Sequence, residues 1–310
     1  PTASSAATQP GGESPAEPAA LKVMFVGFDT SAAVLNAMKA GKVQGVVVQN
    51  PYLMGELAVR TLVSHLVKNP VVKVIDTGGA LITPENLNDP KMQALLNPPK
   101  EGNVSGSSLS SGRTKKWRIF VIPKGTTHEF WKTIHAGAKK AADELGTVDL
   151  IWQGPHKEDD RLQQIQLVQN AIAAKVDGIV LAPLDSRALV KPAEEAIARG
   201  IPVVVMDSSL ESKAIASYVA TDNYQGGVLG ARRIGALLKE GGNVVLLRYA
   251  VGSASTEQRE AGFTETLAKE FPRIKLLSAS EYAGPTAESA QQKSQTLVTR
   301  FRGQIDGVFC

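Results

Sequence analysis

Short aliphatic runs recur along this chain, each followed by an amphipathic stretch, and this alternation restricts the fold more than any other feature. Val23-Met24-Phe25-Val26-Gly27-Phe28 precedes a helical stretch, Ala32–Ala40, that Thr30 and Ser31 can cap and Gly41 can end. Val43–Gln49 precedes Leu53–Val67, and Val71–Asp76 and Ala80–Ile82 are short strand-like runs. The pattern resumes at Trp117–Ile122, with the helix Phe130–Leu145 carrying Ile134, Ala138, Ala141 and Leu145 on one face. Strands Val148–Trp152, Ile179–Ala182, Val203–Met206, Asn243–Tyr249 and Ile274–Ser278 then alternate with helices Asp160–Ala174, Leu189–Arg199, Asn223–Leu238, Glu257–Glu270 and Ala287–Arg300. Apolar strands joined through helices predict parallel sheets covered on both faces, an α/β fold. The strands are too many for one compact sheet, so two lobes are expected. Val176-Asp177-Gly178-Ile179-Val180 and Ile305-Asp306-Gly307-Val308-Phe309 form an internal echo, each behind an amphipathic helix.

Two stretches break the alternation. Residues 1–20 are rich in Pro, Ala, Ser and Gly and read as a disordered arm without the basic start or apolar core of a signal peptide. Residues 98–116 contain Gly-Ser-Ser-Leu-Ser-Ser-Gly, a flexible-linker composition. No apolar run is long enough to span a bilayer. With 34 basic and 30 acidic residues the charge is too balanced for a dedicated nucleic-acid surface. The single cysteine, Cys310, excludes an intrachain disulfide and a multi-cysteine metal site.

In open parallel sheets ligands gather at the carboxyl ends of the strands. There the sequence places Asp29 after Phe28, Gln49 and Asn50 after Val48, His128, Phe130 and Trp131 after Ile122, Asp207 after Met206, and Arg259 beyond Tyr249. Carboxylates accept hydrogen bonds from hydroxyls, an arginine fork donates, and flat rings cover the C–H face of a sugar. Each residue has a plainer reading. Asp29 and Asp207 can be helix caps, Phe130 and Trp131 core or staple residues, Arg259 part of a solvated face, Gln49 turn chemistry and His128 a polar loop residue. Glycine-rich dinucleotide and phosphate loops, the nucleophile elbow and the zinc helix motif are not found, which moves weight from catalysis to binding.

Together these segments resemble the type I periplasmic solute-binding proteins of ABC importers, the ribose and monosaccharide group, in rotated order. Lys116–Pro123 resembles the family's first strand, and Thr127–Trp131 with Ala136-Gly137-Ala138 its first binding loop and helix. Val176–Pro183 and Pro202–Asp207 resemble its next signatures, Thr221-Asp222-Asn223 its crossing into the second lobe, and Gly252–Phe263 the loop whose arginine meets ligand. Asp306–Cys310 resembles a strand whose continuation stands at the other end of the chain, in Val26–Asp29 and Val46–Pro51.

The resemblance implies a circular permutant of two Rossmann-like lobes. Lobe one would comprise 51–80 and 117–221, and lobe two 21–50 and 222–310, with 81–97 as a tail on lobe two. Passages between lobes fall near Asn50, Ala80 and Asp222. A small sugar would lie between the lobes, held by Phe130, Trp131, His128, Asp207, Arg259, Asp29 and Gln49, and would be delivered to an ABC permease. The implied protein is a periplasmic or extracytoplasmic monomer, with or without a lipid anchor, without cofactor, metal or nucleic acid, and not an enzyme. Ala182 stands where ribose binders often carry an amide. A polyol or other polar solute, and the sensing domain of a transcription regulator of the same fold, remain alternatives.

Overall fold

The computed structural model describes residues 23–99, 116–239 and 241–310. The arm at 1–20 and nearly all of the linker at 98–116 lie outside the described residues. The first segment runs β1 (Met24–Phe28), α1 (Ala32–Lys39), β2 (Gly45–Gln49), α2 (Pro51–Leu66), β3 (Val74–Asp76), β4 (Gly79–Ile82) and α3 (Pro90–Leu96). The second begins β5 (Trp117–Ile122), α4 (Glu129–Leu145), β6 (Val148–Trp152), α5 (Arg161–Ala173), β7 (Gly178–Leu181), α6 (Val190–Ala198), β8 (Val203–Met206) and β9 (Ser217–Ala220). It continues α7 (Asn223–Leu237), β10 (Gly242–Arg248), α8 (Ala254–Glu270), β11 (Ile274–Tyr282), α9 (Ala287–Arg300) and β12 (Gly307–Phe309).

These strands form two six-stranded sheets. Sheet one has the order β6-β5-β7-β8-β9-β3, and sheet two β11-β10-β12-β1-β2-β4. Among the described strands the pairings are parallel, as expected, except for β2 with β4. The chain leaves sheet one after β3 and enters sheet two as β4, running opposite to β2 with Gly79 facing Gln49. Two elements were not foreseen, β9 and α3.

Alternating side chains on each strand separate two cores per sheet. On sheet one, Ile119 and Val121 face α2 and α4 through Met54, Leu62 and Ile134, while Phe120 and Ile122 face α5 and α6 through Val168, Leu189 and Ala193. On sheet two, Val26, Val244 and Phe309 pack on α7 and α8, and Val46, Val48 and Ile82 pack on α1 and α3. The stacked rings of Phe263 and Phe309, 4.2 Å apart, lie in the first of these.

Among the described residues the chain passes between the sheets at Asn50, at Thr77–Gly78 and at Thr221–Asp222. The middle passage precedes Ala80, because the β4 ladder already begins at Gly79. Two passages are stapled together. Asp76 Oδ1 accepts from the backbone N–H groups of Gly78 (2.8 Å) and Asp222 (3.2 Å), and the Thr221 hydroxyl donates to the Gly78 carbonyl (2.9 Å).

Candidate functional site between the lobes

The carboxyl ends of β5, β8, β1 and β10 converge on one cavity of about 500 Å³. Asp29, His128, Phe130, Trp131, Asp207 and Arg259 all line it, beside Phe28, Lys124, Glu158, Tyr249 and Ser255. Gln49 does not line the cavity. It is buried behind Asp29, and its Nε2 donates to both carboxylate oxygens at 2.9 and 3.0 Å. Its Oε1 is a buried oxygen without a hydrogen-bond partner.

The plainer readings divide. Asp29 does not cap α1, since Ser31 does so by accepting from the Val34 N–H. Asp207 precedes an irregular loop, and no helix begins there. Both aspartates take a left-handed backbone, φ 61° in each, a conformation uncommon outside glycine. A strained residue at a strand end turns its side chain out of the sheet instead of into a core, which marks both positions for a functional reading. His128 is the N-cap of α4, its Nδ1 accepting from the Phe130 N–H at 3.2 Å. Trp131 is both core and wall: it is 3% exposed, packs with Ile134 and Met54, and meets Phe130 edge-on at 4.9 Å.

The charges are paired differently on the two sides. Asp207 is 3% exposed and faces the Lys124 ammonium at 3.0 Å. Lys124, itself 4% exposed, also donates to Ser208 (2.6 Å) in lobe one and to Ser253 and Ser255 (3.3 Å each) in lobe two. Asp29 is more loosely paired, with Arg259 Nη1 3.8 Å away. Arg259 is held flat by Asn223, whose Oδ1 accepts from Nε at 2.8 Å, and by the Phe28 ring 3.6 Å beneath the guanidinium. Burial pushes the Asp29 carboxyl above its ordinary value, against the lowering effects of Arg259 and Gln49.

Lys124, Glu158 and Tyr249 are site residues that sequence reasoning did not single out. Each follows the end of a strand, β5, β6 or β10, so the strand-end rule contained the signal. Chemically the arrangement offers acceptors from Asp29, Asp207 and Glu158, donors from Arg259 and Lys124, and an aromatic wall. It presents no group of three or more metal-ligating side chains among the described residues. No helix among them is long and apolar enough to cross a membrane.

Residues 119–310 match the family model described as a periplasmic binding protein domain. The D-ribose/D-allose-binding protein of Pseudomonas aeruginosa is 30% identical over 168 residues, 52% of this chain and 53% of that protein. The D-allose-binding periplasmic protein of Escherichia coli is 32% identical over 186 residues, 57% of this chain and 59% of that protein. The chain spans about half the length of the curated relatives it matches. A carbohydrate transporter solute-binding protein from Agrobacterium radiobacter, solved with D-arabinose, superposes with TM-score 0.59 at 36% identity, covering 63% of this chain and 66% of that one. A family match over more than half the chain, two sheets between which the chain crosses repeatedly and a ligand-sized cavity between them agree: the chain belongs to the periplasmic binding protein family.

Proposed function

We propose that this protein captures a small sugar between its two lobes and delivers it to an ABC permease. The observation that carries the reading is the convergence in one cavity of hydrogen-bonding groups from both lobes with an aromatic wall. Phe130 and Trp131 form the aromatic wall against which the sugar ring packs. Asp207 and His128 from lobe one, and Asp29 and Arg259 from lobe two, hydrogen-bond its hydroxyls, with Gln49 fixing Asp29 from behind. The closed arrangement touches the ligand from both sides, so the ligand favours closure through its differential affinity. Two relatives are named for ribose and allose and a similar structure was solved with D-arabinose, which supports a monosaccharide. The role is binding, without turnover, and the location is periplasmic.

Strand order supports a circularly permuted arrangement. In both sheets the second, first and third strands of one continuous segment lie side by side, as β6-β5-β7 and β11-β10-β12. Sheet one continues with β8 and β9, whereas sheet two continues with β1 and β2 from the opposite part of the chain. Placing 116–310 ahead of 23–98 should extend the alignment with the relatives across both lobes. An alignment that still stops at half their length would overturn this order.

The sugar reading is tested by thermal unfolding with D-ribose, D-allose, D-arabinose and other pentoses and hexoses. A ligand at about 100 times its Kd stabilises by about 2.7 kcal/mol, a shift of a few degrees. No shift with any of them at millimolar concentration would reject sugar capture.

A further inference from the structure

We propose that Glu158 is the positioning residue that ties the aromatic wall of lobe one to closure of lobe two. Glu158 lies in the loop between β6 and α5, on lobe one. Its Oε1 accepts from the Trp131 indole Nε1 at 2.8 Å. Its Oε2 accepts from the Tyr249 hydroxyl, also at 2.8 Å. Tyr249 follows β10, on lobe two. One carboxylate thus divides its two oxygens between the ring that would cover the sugar and a hydroxyl from across the cleft. The aliphatic stem is fixed as well: a Cβ on Gly125 would fall 2.7 Å from Glu158 Cγ, so only glycine leaves room for it there.

The surroundings show why this residue, among several cross-lobe contacts, has the coupling role. Segment 249–255 of lobe two meets lobe one repeatedly. The Ser186 N–H donates to the Gly252 carbonyl (3.0 Å), the Ser255 N–H donates to Ser208 Oγ (3.3 Å), and Lys124 reaches Ser255 (3.3 Å). None of these also holds the wall. Opening about the three passages separates Tyr249 from Glu158 but leaves Trp131 and Glu158 together in lobe one. The carboxylate then loses one of its two donors, and the indole loses a partner-fixed acceptor. Tyr249 stays protonated as a donor, because burial, with the Glu158 charge adding to it, raises its hydroxyl above the ordinary tyrosine range. Glutamine in place of Glu158 keeps the volume but has one accepting oxygen, so it can satisfy Trp131 or Tyr249 and not both.

The role is a refinement of the sugar reading, and part of its test needs no sugar. Tyr249→Phe removes one hydroxyl, and Glu158→Gln removes one acceptor. Spin labels at Lys139→Cys on α4 and Lys269→Cys on α8, in a Cys310→Ser background, report the distance between lobes. Ligand-free Tyr249→Phe and Glu158→Gln should both shift the distribution to longer values. In a Trp117→Phe/Trp152→Phe background, Glu158→Gln should shift the Trp131 emission, and Tyr249→Phe should shift it less. Losing a hydrogen bond to a charged group should weaken D-ribose, D-allose or D-arabinose binding about tenfold. The double variant should be no weaker than Glu158→Gln alone, since both remove the same link. Unchanged distances in Tyr249→Phe with unchanged Trp131 emission in Glu158→Gln would overturn the coupling, whatever the sugar result. A parent protein that binds none of the three sugars would instead count against sugar capture, with the ligand-free distances still deciding the role of Glu158.

Discussion

The two lobes are built to one plan and equipped with different chemistry. Both sheets place an aspartate with φ 61° at the end of corresponding strands, β8 and β1. Both cross a pair of helices through interlocked glycines. Added Cβ atoms on Gly55 and Gly137 would fall 2.0 and 1.9 Å from the carbonyl oxygens of Ile134 and Tyr52. On Gly227 and Gly262 they would fall 2.0 and 2.1 Å from those of Arg259 and Tyr224. The divergence begins at the helices facing the cleft. In the first turn of α4 stand Phe130 and Trp131; in the first turn of α8, its counterpart after β10, stand Ala254 and Ser255. Bulk therefore stands on one side of the cleft and small residues on the other. The shared backbone therefore accounts for the existence of a cleft, and the unshared side chains for what the cleft accepts.

The backbone half of this comparison breaks most visibly at the glycines. Gly137→Val and Gly262→Val each drive a side chain into a carbonyl oxygen, an overpacking beyond local adjustment. Each should destabilise by at least about 4 kcal/mol or prevent folding. Urea unfolding measures it. A Gly262→Val protein near parental stability beside a collapsed Gly137→Val would show that the two crossings are not equivalent.

The chemical half separates at the aspartates. Lys124→Met leaves Asp207 buried without its ammonium, and breaking a buried pair from one side costs about 3–5 kcal/mol. Arg259→Met leaves Asp29 with Gln49 still donating to both oxygens, and its pairing was the longer one at 3.8 Å. Its stability cost should therefore be the smaller of the two, while its loss of sugar affinity should be large. Equal stability losses in chemical denaturation would remove the distinction drawn between tight and loose pairing.

How much of this was legible before the structure follows from range. Strand runs of four or more aliphatics stand out because neighbours in the chain carry the pattern, so the alternation and the strand-end aspartates were readable. Ser217–Ala220 escaped because it is four residues with serine and tyrosine at its start, too short for periodicity to register. Helix α3 escaped because it buries none of its residues completely. Lys124 escaped for another reason. A lysine in a loop is ordinarily solvated, and this one is buried because the Asp207 carboxylate and serines 84, 129 and 131 residues away close around it. Glu158 likewise finds its partners 27 and 91 residues away. Side chains whose environment is assembled from distant segments leave no local signature.

Asp29 gives the comparison a pH dependence. Its folded carboxyl is raised above 3.8 mainly by burial, so the folded protein holds this proton more tightly than the unfolded chain. The stability it contributes is complete below pH 3.8 and is lost as pH rises through the raised folded value. Asp29→Asn removes that loss. Its Tm should exceed the parental Tm at pH 7, with the gap closing on acidification. Sugar affinity should move the opposite way, because hydroxyls donate best to the ionised carboxylate: parental affinity falls as pH falls, and the weaker affinity of Asp29→Asn stays flat. A gap in Tm that widens toward acid would reverse the sign and remove burial as the dominant influence.

The smallest effect concerns the helix ends that face each other. His128 caps α4 through its side chain, whereas Ser253 at the start of α8 makes no side-chain cap and meets Lys124 at 3.3 Å instead. His128→Ala should cost about 1 kcal/mol, the usual worth of an N-cap. Ser253→Ala forfeits no cap and only one of the four groups around the Lys124 ammonium, which keeps Asp207, Ser208 and Ser255, so its cost should be the smaller of the two. The same residue position thus serves secondary structure in one lobe and the cleft in the other, and the two variants compared by thermal unfolding would expose that exchange of roles. If Ser253→Ala proved the costlier of the pair, the Lys124 cluster would depend on each of its hydroxyls, and the lysine would have to be treated as a structural pin first and a cleft residue second.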